Sequence, residues 1–266
     1  MARDELFAGL CFLACANGLG GRVIQSINRL GWTDALLDSF DTSAIAWFAC
    51  LAGLLFILRE KQEPIQSADF AVAAGSLILI TLPAGGMSWV AVTGLSLYMS
   101  LFTNAPFSRR RGAVILLATT VPMLWTGLAF RFFNNSILDI DASLVAWVLG
   151  TARLGNMVSF VDASGYLTIW APCSSLVNVP YAFLTWVVAG QVAGRPWSSR
   201  DLLWCVAVCA AVIGVNVIRL SLMGLNVAYY TAIHNQWGDT FVNLIALSLA
   251  VGISTVGVRH ELFSRA

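Results

Sequence analysis

The chain has 266 residues, of which 58% are hydrophobic and 11% charged, and its mean hydropathy is +0.78. Soluble domains carry about a quarter charged residues, so this composition excludes an ordinary water-soluble enzyme. A formal net charge of +1, with Lys61 the single lysine, excludes a general nucleic-acid-binding surface.

Long apolar runs separated by short charged loops predict an all-α polytopic membrane protein, a single integral domain over 1–266. About eight membrane-crossing helices are expected, at 6–22, 42–58, 68–83, 86–103, 112–130, 173–192, 201–219 and 238–258. Each is near the roughly 17–25 residues that a bilayer requires. Arg3 and the apolar run from Leu6 imitate a signal peptide, but Asp4 and Glu5 spoil its positive start, so the first span is expected to stay uncleaved. The third and fourth spans join through Pro83–Gly86 as a tight helical hairpin. Five spans thus occupy 1–130.

Lys and Arg set the expected orientation. With the N-terminus inside, five arginines lie outside (Arg22, Arg29, Arg131, Arg153 and Arg219) and ten basic residues inside, among them Arg109, Arg110 and Arg111. Both termini are therefore expected in the cytoplasm.

The segment 131–172 then forms an outer interfacial stretch. Asp141 can cap a short interfacial helix of Ala142–Leu154. Met157–Val161 and Tyr166–Trp170 alternate β-branched and aromatic residues around Asp162-Ala163-Ser164-Gly165, which predicts a β-hairpin. Its second strand delivers the chain to Cys173, and 173–258 holds the last three spans. Asn216 and Arg219 share a helical face at the end of the seventh. His234 follows, and Asp239 is the expected cap of the eighth.

Cysteine spacing argues against disulfides and zinc. Cys11/Cys15 and Cys205/Cys209 are helical-spaced pairs inside apolar runs, where small residues serve packing. There are only two histidines, His234 and His260, so neither a metal nor another cofactor is expected. Cys173 differs in lying outside any clear apolar run. A helix beginning near Pro172 would place it in the first turn, where the positive end of the dipole favours thiolate. His234 is a candidate general base and Arg219, permanently cationic, a candidate oxyanion stabiliser. Arg131 and Arg153 suit an acidic substrate motif or lipid phosphates equally. Read singly, each of these residues has an ordinary role: small helix-start residue, interfacial histidine, snorkelling arginine.

Taken together, Ala171-Pro172-Cys173-Ser174 after an outer hairpin, Asn216-x-x-Arg219 at a span end and His234-x-x-x-Gly238 before the last span resemble the exosortase/archaeosortase family of membrane cysteine transpeptidases. The likeness covers roughly residues 131–258; the first four spans add only hydropathy. It implies a Cys173–Arg219–His234 site, supported by Ser174, Asn216 and Asp239, at the outer face of the cytoplasmic membrane. The implied partners are membrane lipids and exported proteins whose C-terminal tail carries a short motif (Pro-Glu-Pro in the commonest version), a hydrophobic span and a basic end. Cleavage would pass through a thioester to an amine or water. Ser175 and Val177 stand where the family usually has Gly and Arg, which implies a divergent subfamily. The competing reading is a non-enzymatic membrane protein, either a transporter or an assembly component of exopolysaccharide export. A transporter would show paired halves with broken helices near mid-membrane.

Overall fold

The structure is a computed structural model that describes residues 2–37, 39–59, 63–83, 85–102, 107–194 and 198–263; Lys61, Ala84, Arg195 and Arg265 lie outside them. In chain order the helices are α1 (Arg3–Leu30), α2 (Trp32–Leu37), α3 (Ala44–Leu58), α4 (Ser67–Thr81), α5 (Gly85–Leu97, continued by a π turn at Tyr98–Phe102), α6 (Phe107–Thr120) and α7 (Thr126–Leu149), with π geometry at Val121–Trp125 between the last two. Three short strands follow: β1 (Arg153–Leu154), β2 (Met157–Ser159) and β3 (Tyr166–Thr168). After a 3-10 turn at Ala171–Cys173 come α8 (Ser175–Ala193), α9 (Ser199–Met223), α10 (Val227–Ile233) and α11 (Gln236–Phe263).

Five helical stretches are long and apolar enough to cross a membrane: Arg3–Leu30, Phe107–Leu149, Ser175–Ala193, Ser199–Met223 and Trp237–Arg259. Helices α3 and α4 and the stretch Gly86–Leu101 are apolar but shorter. Large apolar side chains such as Phe48, Phe70, Leu202 and Leu203 are exposed. In water such a surface would drive association, whereas in lipid it is the solvated face. The chain is an all-α membrane protein by these criteria.

Two compact units are present, one of residues 1–125 and 190–194, the other of residues 126–189 and 195–266. In the first, α3 and α6 meet backbone to backbone. A Cβ on Gly112 would lie 2.5 Å from the Gly53 carbonyl oxygen, so glycine is required for that approach. Cys11, Cys15 and Cys50 are buried in this unit. One end of it holds an ionic cluster. Arg109, fully buried, donates to Asp4 and, at 2.8 Å, to Glu63; Arg3 donates to Asp69 at 2.8 Å, and the Tyr98 hydroxyl does so at 2.9 Å. The starts of α1, α4 and α6 and the end of α5 therefore share one end of this unit. Arg109 is an interior ion-pair partner there, not part of a solvated charge run.

In the second unit α7 is two helical segments that meet at a kink at Phe133 (φ −126°, ψ 21°). The second runs to Leu149 and starts well before the expected boundary at Ala142, so Asp141 lies inside it. Asp141 caps nothing there: its carboxylate is buried and bonded to a different helix start. The three strands form an antiparallel sheet in the order β1-β2-β3, with Val158 opposite Leu167. Alternation sends Val158, Leu167 and Ile169 into a core with Leu138, Ala142 and Val145 of α7 and Val217, Leu220 and Met223 of α9. The sheet is thereby fixed against two helices, and its last strand leads the chain to Cys173.

Candidate active site

Trp170, extended, passes into the 3-10 turn, whose Cys173 N–H donates to the Trp170 carbonyl at 2.8 Å. Pro172 suits this turn because its fixed φ is already helical. Ser174 caps α8: its hydroxyl oxygen accepts from the Leu176 N–H at 3.2 Å. Cys173 thus stands just ahead of the helix, outside its first turn.

Two buried side chains hold this junction. The Asp141 carboxylate accepts the Ser174 hydroxyl at 2.5 Å and the Ser175 N–H at 3.2 Å. Asn216 donates through its amide nitrogen to the Cys173 carbonyl at 2.9 Å and to the Ser175 hydroxyl oxygen at 3.1 Å. Asp141, Ser174, Ser175 and Asn216 are at most 5% exposed, so the bonds among them are shielded from water, while the one to the Cys173 carbonyl is part-buried. The Ser175 hydroxyl supplies an acceptor that a glycine at this position would lack. Asp141 escaped the sequence reading because its only local signal was that of a helix cap. Beside the network lies a cavity of about 180 Å³ lined by Ile137, Leu144, Leu176, Val179 and Ile213 together with Asp141 and Ser175.

Burial dominates the state of the Cys173 thiol and pushes its pKa above the usual cysteine range. The Arg219 cation draws it back down, and the Asp239 carboxylate opposes Arg219. The expected helix-dipole stabilisation of thiolate is therefore outweighed by desolvation. Arg219 pairs with Asp239, its side chain is 10% exposed, and among the described residues its Nε has no hydrogen-bond partner. Asp239 is not the cap of α11. Asn235 takes that role, its side-chain oxygen accepting from the Gly238 N–H at 2.9 Å, which leaves the Asp239 carboxylate for Arg219.

His234 closes α10, its N–H donating to the Tyr230 carbonyl at 2.8 Å and its ring stacking on Tyr230 at 5.0 Å. Tyr230 and Ile233 pack against the same apolar core as Cys173. The imidazole itself is exposed, and among the described residues no hydrogen bond joins it to Cys173 or Arg219. Gly238 is explained by the turn after His234, since a Cβ there would collide with the Ile233 carbonyl oxygen. Cys173, Ser174, Asn216, Arg219 and Asp239 are thus brought into one neighbourhood, with His234 at its edge. Arg131 is exposed on α7, and Arg153 is half-exposed beside Asp139 at 3.6 Å; among the described residues neither bonds to this group.

The two charges facing Cys173 lead to opposite expectations. Alkylation rates follow thiolate, so they rise with pH through the thiol pKa. Arg219→Gln is expected to move the iodoacetamide rate midpoint at Cys173 to higher pH, and Asp239→Asn to lower pH. Mass-spectrometric labelling of Cys173 against pH checks both, and shifts of the same sign would exclude this electrostatic arrangement.

Searches against family profiles, curated proteins and solved structures find no match to this chain.

Proposed function

We propose that the protein is an exosortase-like thiol protease/transpeptidase of the cytoplasmic membrane, with eight spans, both termini cytoplasmic and Cys173 on the outer side. Its substrates in this reading are exported proteins whose C-terminal tail carries a short motif, a hydrophobic span and a basic end. The observation that carries the reading is a cysteine fixed by its own carbonyl at the mouth of an apolar helix, within the field of a nine-tenths-buried arginine that retains an unpaired N–H.

Chemically, the Cys173 thiol gives its proton to a base and its sulfur attacks the carbonyl carbon before the tail. The carbon–sulfur bond forms as the carbonyl electrons move onto oxygen. Among the described residues Arg219 Nε–H has no acceptor, so it can donate to that oxyanion without breaking another bond. Collapse expels the tail amine, which needs a proton. His234 is the side chain proposed for both transfers, since an imidazole can both accept and donate a proton. Its exposed place on the short α10–α11 connection requires the imidazole to swing toward Cys173 once substrate is bound. An amine or water then attacks the thioester and releases Cys173.

The test is a covalent adduct. A tail-bearing exported protein of the same cell, co-expressed with the full chain, should form a hydroxylamine-sensitive conjugate at Cys173, and its mature form should lack the tail. Intact tails on every such protein, with no conjugate, would reject the reading and leave a non-enzymatic membrane component.

A further inference from the structure

The sheet that delivers Cys173 has one open side. In an antiparallel ladder, alternate residues turn their N–H and C=O groups toward opposite neighbours. Two bonds fix which way β3 faces: the Phe160 N–H donates to the Gly165 carbonyl at 3.0 Å, and the Ile169 N–H to the Asn156 carbonyl at 2.9 Å. Gly165, Leu167 and Ile169 therefore face β2. By the same alternation the backbone groups of Tyr166 and Thr168 point away from it. The Ser159 N–H donates to the Ala152 carbonyl at 2.9 Å, so β2 alternates toward its other neighbour with the same phase. β3 is the edge strand, and among the described residues nothing bonds to the outward N–H and C=O groups of Tyr166 and Thr168.

We infer that this edge of β3 is the binding site for an extended segment of the substrate polypeptide, which joins the sheet as a fourth strand and is thereby aimed at Cys173. The inference rests on the proposed protease reading and specifies how that site would hold its substrate. Two outward N–H and two outward C=O groups at two-residue spacing match the backbone of another extended chain, whatever its side chains. The edge is continuous with the candidate site, because Ile169 and Trp170 carry the same strand direction up to the turn that ends in Cys173. At about 3.3 Å per residue, the paired substrate residues would lie roughly two to five positions from the attacked carbonyl. Tyr166 and Trp170, 60% and 65% exposed, stand at either end of the same strand face. They offer aromatic contact to alternate substrate side chains and suit the lipid–water boundary. The edge carries no Pro or charged residue of the kind that blocks strand addition.

The test uses full-length protein in lipid nanodiscs and three alkylating agents. Acetyl-tetraalanine chloromethyl ketone is compared with chloroacetone, which has the same reactive group and no peptide. The third agent is the peptide N-methylated at its second and third alanines. In each case the Cys173 sulfur bonds to the methylene carbon and chloride leaves. The peptide should label Cys173 about tenfold faster than chloroacetone, an advantage of the size one or two hydrogen bonds provide. N-methylation should remove most of that advantage. Thr168→Pro should do the same while leaving the chloroacetone rate within about twofold, because proline is tolerated where an edge N–H faces outward. An N-methylated peptide that labels as fast as its parent, or a Thr168→Pro protein that keeps the advantage, would overturn the inference. Should chloroacetone fail to label Cys173 even at alkaline pH, the thiol chemistry falls. The edge is then judged by whether acetyl-tetraalanine amide at millimolar concentration protects the Tyr166 and Thr168 amides from hydrogen exchange. Protection present without peptide and lost on dilution would assign the edge to a second copy of this chain and reject a substrate strand.

Discussion

Cys173→Ala is expected to abolish the proposed tail removal, by roughly a thousandfold or more, while the protein remains inserted and folded. The magnitude follows from the proposed mechanism: without the sulfur no thioester would form, and neither Arg219 nor His234 could replace it. Retention of the fold follows from which atoms of Cys173 are used structurally. Asn216 bonds to its carbonyl oxygen, and its N–H bonds to Trp170, and alanine keeps both groups. The thiol is only partly buried, so its loss leaves at most a small cavity. Cys173→Ser should be as inactive, since a hydroxyl in the same partly buried place is a far weaker nucleophile. By contrast, Cys11, Cys15, Cys50, Cys205 and Cys209 lie within helices and should each accept alanine with processing retained. Quantifying tailed and tailless forms of one exported protein by mass spectrometry decides the matter. Full processing by Cys173→Ala would eliminate the thiol mechanism.

Much of this architecture was legible because lipid leaves few alternatives to apolar helices. Strands β2 and β3 lie inside the two alternating stretches on either side of Asp162–Gly165. Asn216 and Arg219, three apart, do act on one neighbourhood: the first on the Cys173 carbonyl, the second on its thiol. What stayed hidden depends on distant partners. The stretch from Arg131 to Ser136 reads as the end of a span; the chain kinks there, at Phe133, but helix resumes directly after it with the side chains of the stretch exposed. Arg109 belongs to a charge run whose simplest place is a solvated loop; its partners Asp4 and Glu63 are far away in sequence. The Cys173 thiol lies two residues ahead of α8 rather than inside it. The helix dipole acts within the first turn, α8 starts at Ser175, and burial then decides the sign.

Asp141→Ala is expected to be the most damaging substitution outside the three candidate reactive residues. Its carboxylate is 4% exposed and serves two donors of another segment, the Ser174 hydroxyl and the Ser175 N–H. Alanine strands both donors in a dry site, at about 1–3 kcal/mol for each unsatisfied group. It also opens the wall of the adjoining apolar cavity. The start of α8 would then loosen, and with it the turn that sets the direction of the Cys173 sulfur. Asp141→Asn separates the contributions: its carbonyl oxygen can occupy the same place and accept the same two bonds, with the charge removed. The asparagine protein should therefore keep its unfolding temperature in detergent near that of the parent and retain processing. The alanine protein should unfold at lower temperature, and its surviving folded fraction should show a lower kcat with the pH profile of Cys173 alkylation displaced. Ser174→Ala, which removes one donor with its acceptor need, should fall between them. Asp141→Ala with unchanged melting and unchanged alkylation would show that the Ser174–Ser175 junction is held by Asn216 alone.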